Sequence, residues 1–575
     1  EILFKKEVVW AEVKEELRHA LNDFIEQANG NTDPFMAQET KKGVNLIDIL
    51  MKKYDVVVTN PPFSGKRNWD NKLTNELKIF YTKSFYDLYS CFIERCIDLI
   101  KKDGFAGLVS MQSFMFVTSF KELRKYLLSK TNILTLLHFG PHAFPGLSGV
   151  KASTCAFCVD LSSDRKSRDK GIFFKLTNGV HNEKKIIFEE EIKKFRCNQQ
   201  TKKVFALRQE KFNLIPASPM IYWINKKILD LFQLLKSSIG EVIEIPNRTK
   251  TGFDEKFIRY EWEVGYENVG RNKKWVKYTK GEGSESWLGR INRVIDWSQK
   301  SRKYFRNSNS CRITDEKYWF IEGITYSGIS IDTYSFRYLP PECVYDVGGP
   351  ALISKKYSTF MILGFLNSEY TKYILSLINP TVNLQTGDLN RIPLQEEIPL
   401  EYITLLEKKS CKCYMFKHSL LETDEIFYKF NKPVNWKTGI YTKLQLEKDI
   451  FILATEISDI VYKMLGIEEH DIKQIKNEIR QLTRDFLKIE NITSYKLKVL
   501  NLLYLSKYNF ADIIDWIKNH YEGNNEDEFW RVLKLNQKSS GKNYLNLEEI
   551  CLASGFHPET VYEYIKVNHL ERKEE

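Results

Sequence analysis

The sequence predicts an α/β chain made of part of a doubly wound sheet, then a mixed α/β region, then a helical region. Three observations predict this order. Between residues 54 and 159, apolar β-branched runs alternate with amphipathic stretches, as in a sheet wound by helices. Between residues 211 and 395 the pattern is mixed, and Gly, Pro and aromatic residues are frequent. From about residue 400 the apolar period is helical. The divisions expected are 1–165 for the sheet, 166–210 for a connector, 211–395 for the mixed region, 396–490 for bracing helices and 491–575 for a last helical region. Pro393 and the prolines that follow it mark the third boundary.

Each element has a local reason. Residues 55–59 form an apolar run that reads as a central strand buried on both faces. Residues 86–101 repeat apolar positions at helical spacing and stop at Lys101-Lys102-Asp103-Gly104, basic and then glycine. A strand at 105–111, a helix at 120–129 and strands at 132–138 and 154–159 complete the sheet. Gln112 and Ser113 follow a strand end, where polar side chains can face a site. Residues 162–170 read as a polar connector or exposed hairpin. Helices are expected at 401–421, 445–465 and 471–489. Residues 545–565 resemble a helix-turn-helix, with Gly555 at the turn and Pro558 opening the second helix. That second helix starts acidic, which favours a structural hairpin or a protein-docking module over DNA contact.

Composition narrows the class. At 575 residues the chain is long enough for several domains. Its apolar residues, 43% of the total, never form a long uncharged run, so no membrane span is expected. Its first residues do not read as a signal peptide. Ten cysteines are too few for a disulfide scaffold and point to a reducing cytoplasm. Cys155 and Cys158 are spaced like metal ligands, but strand residues three apart point to opposite faces, and no metal is expected. Cys411 and Cys413 lack suitably spaced partners.

Asn60-Pro61-Pro62-Phe63 carries the chemistry. It follows a strand, so it lies where ligands of open α/β sheets sit. Two prolines fix φ and remove two donors, which stiffens the turn. An amide and an aromatic ring flank it. An exocyclic amine on a purine is a poor nucleophile, because its lone pair is delocalised into the ring. The Asn60 side-chain oxygen and the Pro61 carbonyl can each accept one amine proton, and Phe63 can stack on the base. A base inside a duplex must be flipped out to reach such a pocket. The bland reading is a structural turn.

The surrounding text carries a resemblance. DVVVTNPPF (55–63) resembles the catalytic motif of amino-group DNA methyltransferases that use S-adenosylmethionine. DLYSCFIERCIDLIKKDGF (87–105), HFGPHAF (138–144), PMIYW (219–223), KWVKYTKGEGSESWLG (274–289) and FRYLPPECVYDVGG (336–349) resemble the PglX adenine methyltransferases of BREX phage-defence systems. The similarity runs from about residue 54 to about residue 394. More distantly the chain resembles restriction–modification methyltransferases of the Eco57I kind.

The resemblance implies a class I S-adenosylmethionine-dependent fold and a site-specific adenine DNA methyltransferase. Asn60, Pro61, Pro62 and Phe63 would be catalytic, S-adenosylmethionine the cofactor and double-stranded DNA the partner, with other phage-defence proteins as further candidates. Residues 1–59 hold only Gly30 and Gly43, and no glycine-rich cofactor turn. The expectation is therefore the C-terminal part of a longer protein, inactive by itself; a degenerate paralogue is the alternative. Without further strands, residues 55–59 would be a bare apolar edge unless the amphipathic stretch 7–27 covers it.

Two candidate sets remain. Asp87 lies near the cofactor or base pocket by resemblance, but it also reads as a helix N-cap, and both can hold. The net charge of +11 is thinly spread, yet residues 247–338 concentrate basic and aromatic residues. By resemblance to the family's target-recognition region, Arg248, Lys250, Arg271, Lys274, Lys277, Arg290, Arg293 and Arg302 are candidate DNA contacts. Phe144 and Phe157 are candidates for closing the base pocket, with core packing the preferred role for each. Rival functions are a non-catalytic DNA-recognition subunit of a phage-defence complex, and methylation of RNA or a protein glutamine.

Overall fold

The computed structural model describes residues 52–144, 153–161, 170–177, 179–281, 285–329, 334–381, 383–424 and 438–489, with a few isolated positions besides. The helix-turn-helix-like stretch at 545–565 lies outside the described residues, as does nearly all of 7–27. The chain divides into two compact units, with the change at about Trp223.

The first unit is built on one mixed sheet. Its elements are β1 (Tyr54–Thr59), α1 (Asn71–Phe80), α2 (Leu88–Leu99), β2 (Ile100–Met111), α3 (Lys121–Lys130), β3 (Asn132–Gly140), β4 (Thr154–Asp160), β5 (Gly171–Lys175), α4 (His181–Arg196) and β6 (Val204–Leu207). The strand order is β1-β2-β4-β3-β5-β6. β1 runs parallel to β2, and β3 parallel to β5; the other pairs are antiparallel. Register places Leu108, Phe157, Leu136 and Phe173 in one row across four strands, and all four are buried. On the opposite face, α4 covers Leu137, Phe174 and Leu176 with Ile187, Phe188 and Ile192.

Two expectations are corrected. The sheet does not end at residue 159, and 166–210 is not a connector: it supplies β5, α4 and β6. The parallel β3–β5 pairing is non-local, so no local period announces it. Nor is β1 a strand buried on both faces. It lies at the sheet's edge, with β2 as its hydrogen-bonded neighbour among the described residues. Val56 and Val58 point to one face and are 59% and 76% exposed. Phe105 and Cys158 lie exposed on the same face. An apolar run shows that a strand can be covered, not what covers it.

The second unit holds two four-stranded sheets. One has the order β14-β10-β11-β9 and the other β13-β12-β15-β8. After the short strand β7 (Ser237–Ser238), their strands are β8 (Ile243–Glu244), β9 (Ile258–Tyr260), β10 (Trp275–Thr279), β11 (Arg293–Asp296), β12 (Gly323–Tyr326), β13 (Phe336–Leu339), β14 (Cys343–Tyr345) and β15 (Ala351–Ser354). Gly281 has a φ of +75°, and a Cβ there would fall 2.0 Å from the Gly348 carbonyl oxygen. Only glycine suits that approach. Helices α5 (Thr359–Asn367) and α6 (Glu369–Ile378) are almost wholly buried. Three long helices follow, α7 (Leu400–Leu421), α8 (Thr438–Met464) and α9 (Glu469–Ile489), close to the expected bounds. They brace the unit through polar tips: Tyr373 donates to Glu478 at 2.8 Å and Tyr462 to Glu369 at 3.2 Å.

Candidate active-site loop and basic region

The loop at 60–63 leaves the carboxyl end of β1, where the sequence places it. Pro61 is buried; Asn60 and Pro62 are exposed. Phe63 is 40% exposed, so its ring is not walled into the core. It meets the Tyr89 ring edge to face, with centroids 6.2 Å apart and planes at 88°. Tyr89 is fully buried and contacts Phe120 behind it at 5.9 Å. Its hydroxyl is 2.8 Å from Ser113 Oγ.

Ser64 follows directly and is held from the far side. Its N–H donates to Asp87 Oδ1 at 3.1 Å. Its carbonyl accepts from the Leu88 N–H and from Trp69 Nε1–H, each at 3.0 Å. The Lys66 N–H reaches the Tyr86 carbonyl at 3.2 Å. Asp87 is the N-cap of α2 and accepts the Tyr89 N–H at 3.4 Å. Burial holds its carboxyl above the usual carboxylate range, although the Tyr89, Ser64 and Leu88 amides pull the other way.

Gln112 and Ser113 face inward rather than to the mouth. Gln112 is buried, and its Oε1 accepts from His138 Nε2 at 2.7 Å. His138 Nδ1 then accepts from the Tyr222 hydroxyl at 3.1 Å. Burial pushes the His138 pKa down to about 3, with Lys175 and Lys184 adding to the effect, so the ring is neutral. Neither Gln112 nor His138 was legible as part of one network, because Gln112 follows β2 and His138 lies on β3, 26 residues away. Phe157 packs on Phe114 in the core, whereas Phe144 is exposed. Cys155 is buried against Ser110, and Cys158 is exposed on the opposite face, as strand geometry requires.

Most of the candidate DNA-contacting cations have partners inside the second unit. Lys277 is buried, and its ammonium is bonded to Glu261. Its charge is not presented at the surface, which corrects its place in the candidate set. Arg290 is paired with Asp424. Arg271 donates to the Phe320 carbonyl at 2.6 Å. Arg293 stacks 3.7 Å over Tyr260, and Arg302 lies 5.3 Å from the Trp319 centroid. Arg248 donates to the Val347 carbonyl at 3.4 Å. Lys250 and Lys274 are exposed, the latter 3.9 Å from Asp296. A cleft lined by Lys280, Arg290, Arg293 and Arg337 has a volume of about 20 Å³, room for one water and not for a base.

Known proteins resemble this chain as follows. The family described as Eco57I restriction-modification methylase matches residues 3–144. The adenine-specific methyltransferase BrxX of Escherichia coli O9:H4 (strain HS) is 28% identical over 487 residues, covering 84% of this chain and 38% of that protein. The adenine-specific methyltransferase PglX of Lacticaseibacillus casei (strain Zhang) is 29% identical over 388 residues, covering 63% of this chain and 31% of that protein. The chain therefore spans about a third of the length of these relatives. Among solved structures, the Type IIL restriction-modification enzyme MmeI in complex with DNA gives a TM-score of 0.46 at 12% identity, covering 75% of this chain and 57% of that one. The chain is thus similar to proteins named as adenine-specific methyltransferases and, through residues 3–144, to the Eco57I restriction-modification methylase family.

Proposed function

We propose that this chain is the base-holding and DNA-recognising part of a site-specific DNA methyltransferase that modifies the exocyclic N6 amine of adenine in phage defence. One observation carries the reading. A proline-stiffened loop at a strand's carboxyl end leaves both Asn60 and Phe63 exposed. In this reading the Asn60 oxygen and the Pro61 carbonyl accept the two amine protons, which draws the nitrogen lone pair out of ring conjugation. Phe63 stacks on the base, and Tyr89 buttresses Phe63 from behind. Pro62 keeps the turn rigid, so little order is lost when the base enters.

S-adenosylmethionine, when bound, supplies the methyl group on a sulfonium. The described residues fit the base side of that reaction; they include no glycine-rich turn or ribose-holding acid for the cofactor. Asp87 has one carboxylate oxygen engaged by two amides, which leaves Oδ2 as its sole offer to a cofactor. Double-stranded DNA would be held through the second unit, with Lys250 and Lys274 as the first phosphate contacts to test. The reading places the protein in the cytoplasm; among the described residues no helix is long and apolar enough to cross a membrane. A non-catalytic recognition subunit is not favoured, since the relatives are named as enzymes.

The test is product identity. The full-length protein, given methyl-labelled S-adenosylmethionine and duplex DNA, is expected to yield N6-methyladenine after nuclease digestion. Label found only in RNA or protein would overturn the proposal.

A further inference from the structure

The loop at 60–63 has an anchoring problem that its own sequence creates. β1 is tied to β2 up to Thr59, which lies opposite Leu108. Pro61 and Pro62 carry no N–H, so neither can donate a bond that fixes the turn. The next firm backbone anchor is Ser64. Both backbone groups of Ser64 are engaged, and the Asp87–Leu88 turn supplies a partner to each: the Asp87 carboxylate takes its N–H, and the Leu88 N–H reaches its carbonyl. The loop thus spans two fixed ends, one on the sheet and one on the first residues of α2.

The same carboxylate oxygen also takes the Tyr89 N–H. Tyr89 is the residue whose ring meets Phe63, and its far end is bonded to Ser113. One carboxylate therefore fixes the chain after the Phe63 ring and the residue beneath that ring. An ordinary N-cap contacts only its own helix. Here the carboxylate also reaches a segment 23 residues earlier in the chain. Those amides offset part of the burial of the charged group, though burial remains the larger influence.

We propose that Asp87 is a positioning residue that clamps the base-holding loop through Ser64 and Tyr89, rather than a ligand of the cofactor. This rests on the reading of residues 60–63 as the base site. Charge-assisted bonds of this kind are stronger than those between neutral groups. Asparagine keeps an acceptor oxygen in the same place and caps a helix as well as aspartate does. Serine caps the helix but is too short to reach Ser64.

The experiment compares Asp87→Asn, Asp87→Ser and Asp87→Ala in the full-length protein. Hydrogen exchange of the amides at 63–66 is read first, because it needs no catalysis. About a tenfold or greater loss of protection is expected in Asp87→Ser and Asp87→Ala, with recovery in Asp87→Asn. Turnover at saturating cofactor should fall about 10–100-fold in the first two and largely return in the third, while cofactor Kd stays within about threefold. Retained protection at 63–66 in Asp87→Ser overturns the clamp and leaves a helix cap. A cofactor Kd weakened about tenfold or more, with turnover unchanged at saturation, overturns it in favour of a cofactor ligand. Should no variant or wild-type protein methylate DNA, the exchange result still decides the clamp, and only the reading of the site fails.

Discussion

The loop at 60–63 and the basic stretch at 248–302 are both dense in functional residue types, and the fold treats them in opposite ways. In the loop, the fold engages the residues around the motif and leaves Asn60 and Phe63 exposed. In the basic stretch, the fold uses the candidate groups themselves: Lys277 on Glu261, Arg290 on Asp424, Arg293 on Tyr260. A stiff backbone motif announces its own exposure, because prolines cannot be absorbed into a sheet ladder. A run of cations does not, since each charge can find an acid or a ring inside the same unit.

Substitutions at five positions sharpen or break this contrast. The largest effect is expected at Lys277. Lys277→Met leaves the buried Glu261 carboxylate without its cation and should cost about 3–5 kcal/mol of stability in denaturant titration. DNA affinity measured below the transition should not change. A normal stability with weakened DNA binding would return Lys277 to the interface. Next is Phe63→Ala, expected to lower methyl transfer by about 1–3 kcal/mol in transition-state terms, while Phe63→Tyr retains a stacking face. Equal loss in both variants would argue that the ring is packing and not a platform.

His138 tests the support behind the loop. Its folded pKa of about 3 lies below the unfolded value near 6.5, so the unfolded state binds the extra proton first. Its contribution to stability is full above about pH 6.5 and is lost as pH falls toward 3. Between pH 7 and pH 5 this one group should account for about 2 kcal/mol, a term absent in His138→Gln. The same pH dependence in both proteins would contradict a buried neutral imidazole. The smallest effect belongs to the exposed cations. Lys250→Ala and Lys274→Ala should each reduce the slope of log affinity against log salt by about one unit. An unchanged slope removes that residue from the phosphate contacts.

Much of the fold was legible because its signals are local. The helix at Lys121–Lys130 and the long helix at Leu400–Leu421 fall within a residue of the positions read from their periods. The strand at Asn132–Gly140 and the turn at 60–63 were equally plain. What escaped depends on partners far away in sequence. β5 and β6 were missed because β5 pairs with β3 across an intervening strand and β6 pairs with β5 across a helix, neither through a turn. The edge position of β1 was legible only conditionally, as the outcome without further strands, because apolar composition does not report what lies beside a strand. In the site, the proline motif was readable, and so was Asp87 as a cap. Its reach to Ser64 was not, since nothing in the spacing of 64 and 87 fixes their contact. The burial of Lys277 was hidden for the same reason: Glu261 lies 16 residues before it.

The account stands most directly on the carboxamide of Asn60. Methyl transfer to a duplex carrying one target adenine, and equilibrium binding to the same duplex, should be measured for the full-length protein and for Asn60→Ala. The expected result is a loss of about a hundredfold or more in transfer with DNA affinity little changed. Transfer at the parental rate in Asn60→Ala would contradict the assignment of this loop as the place where the base is held.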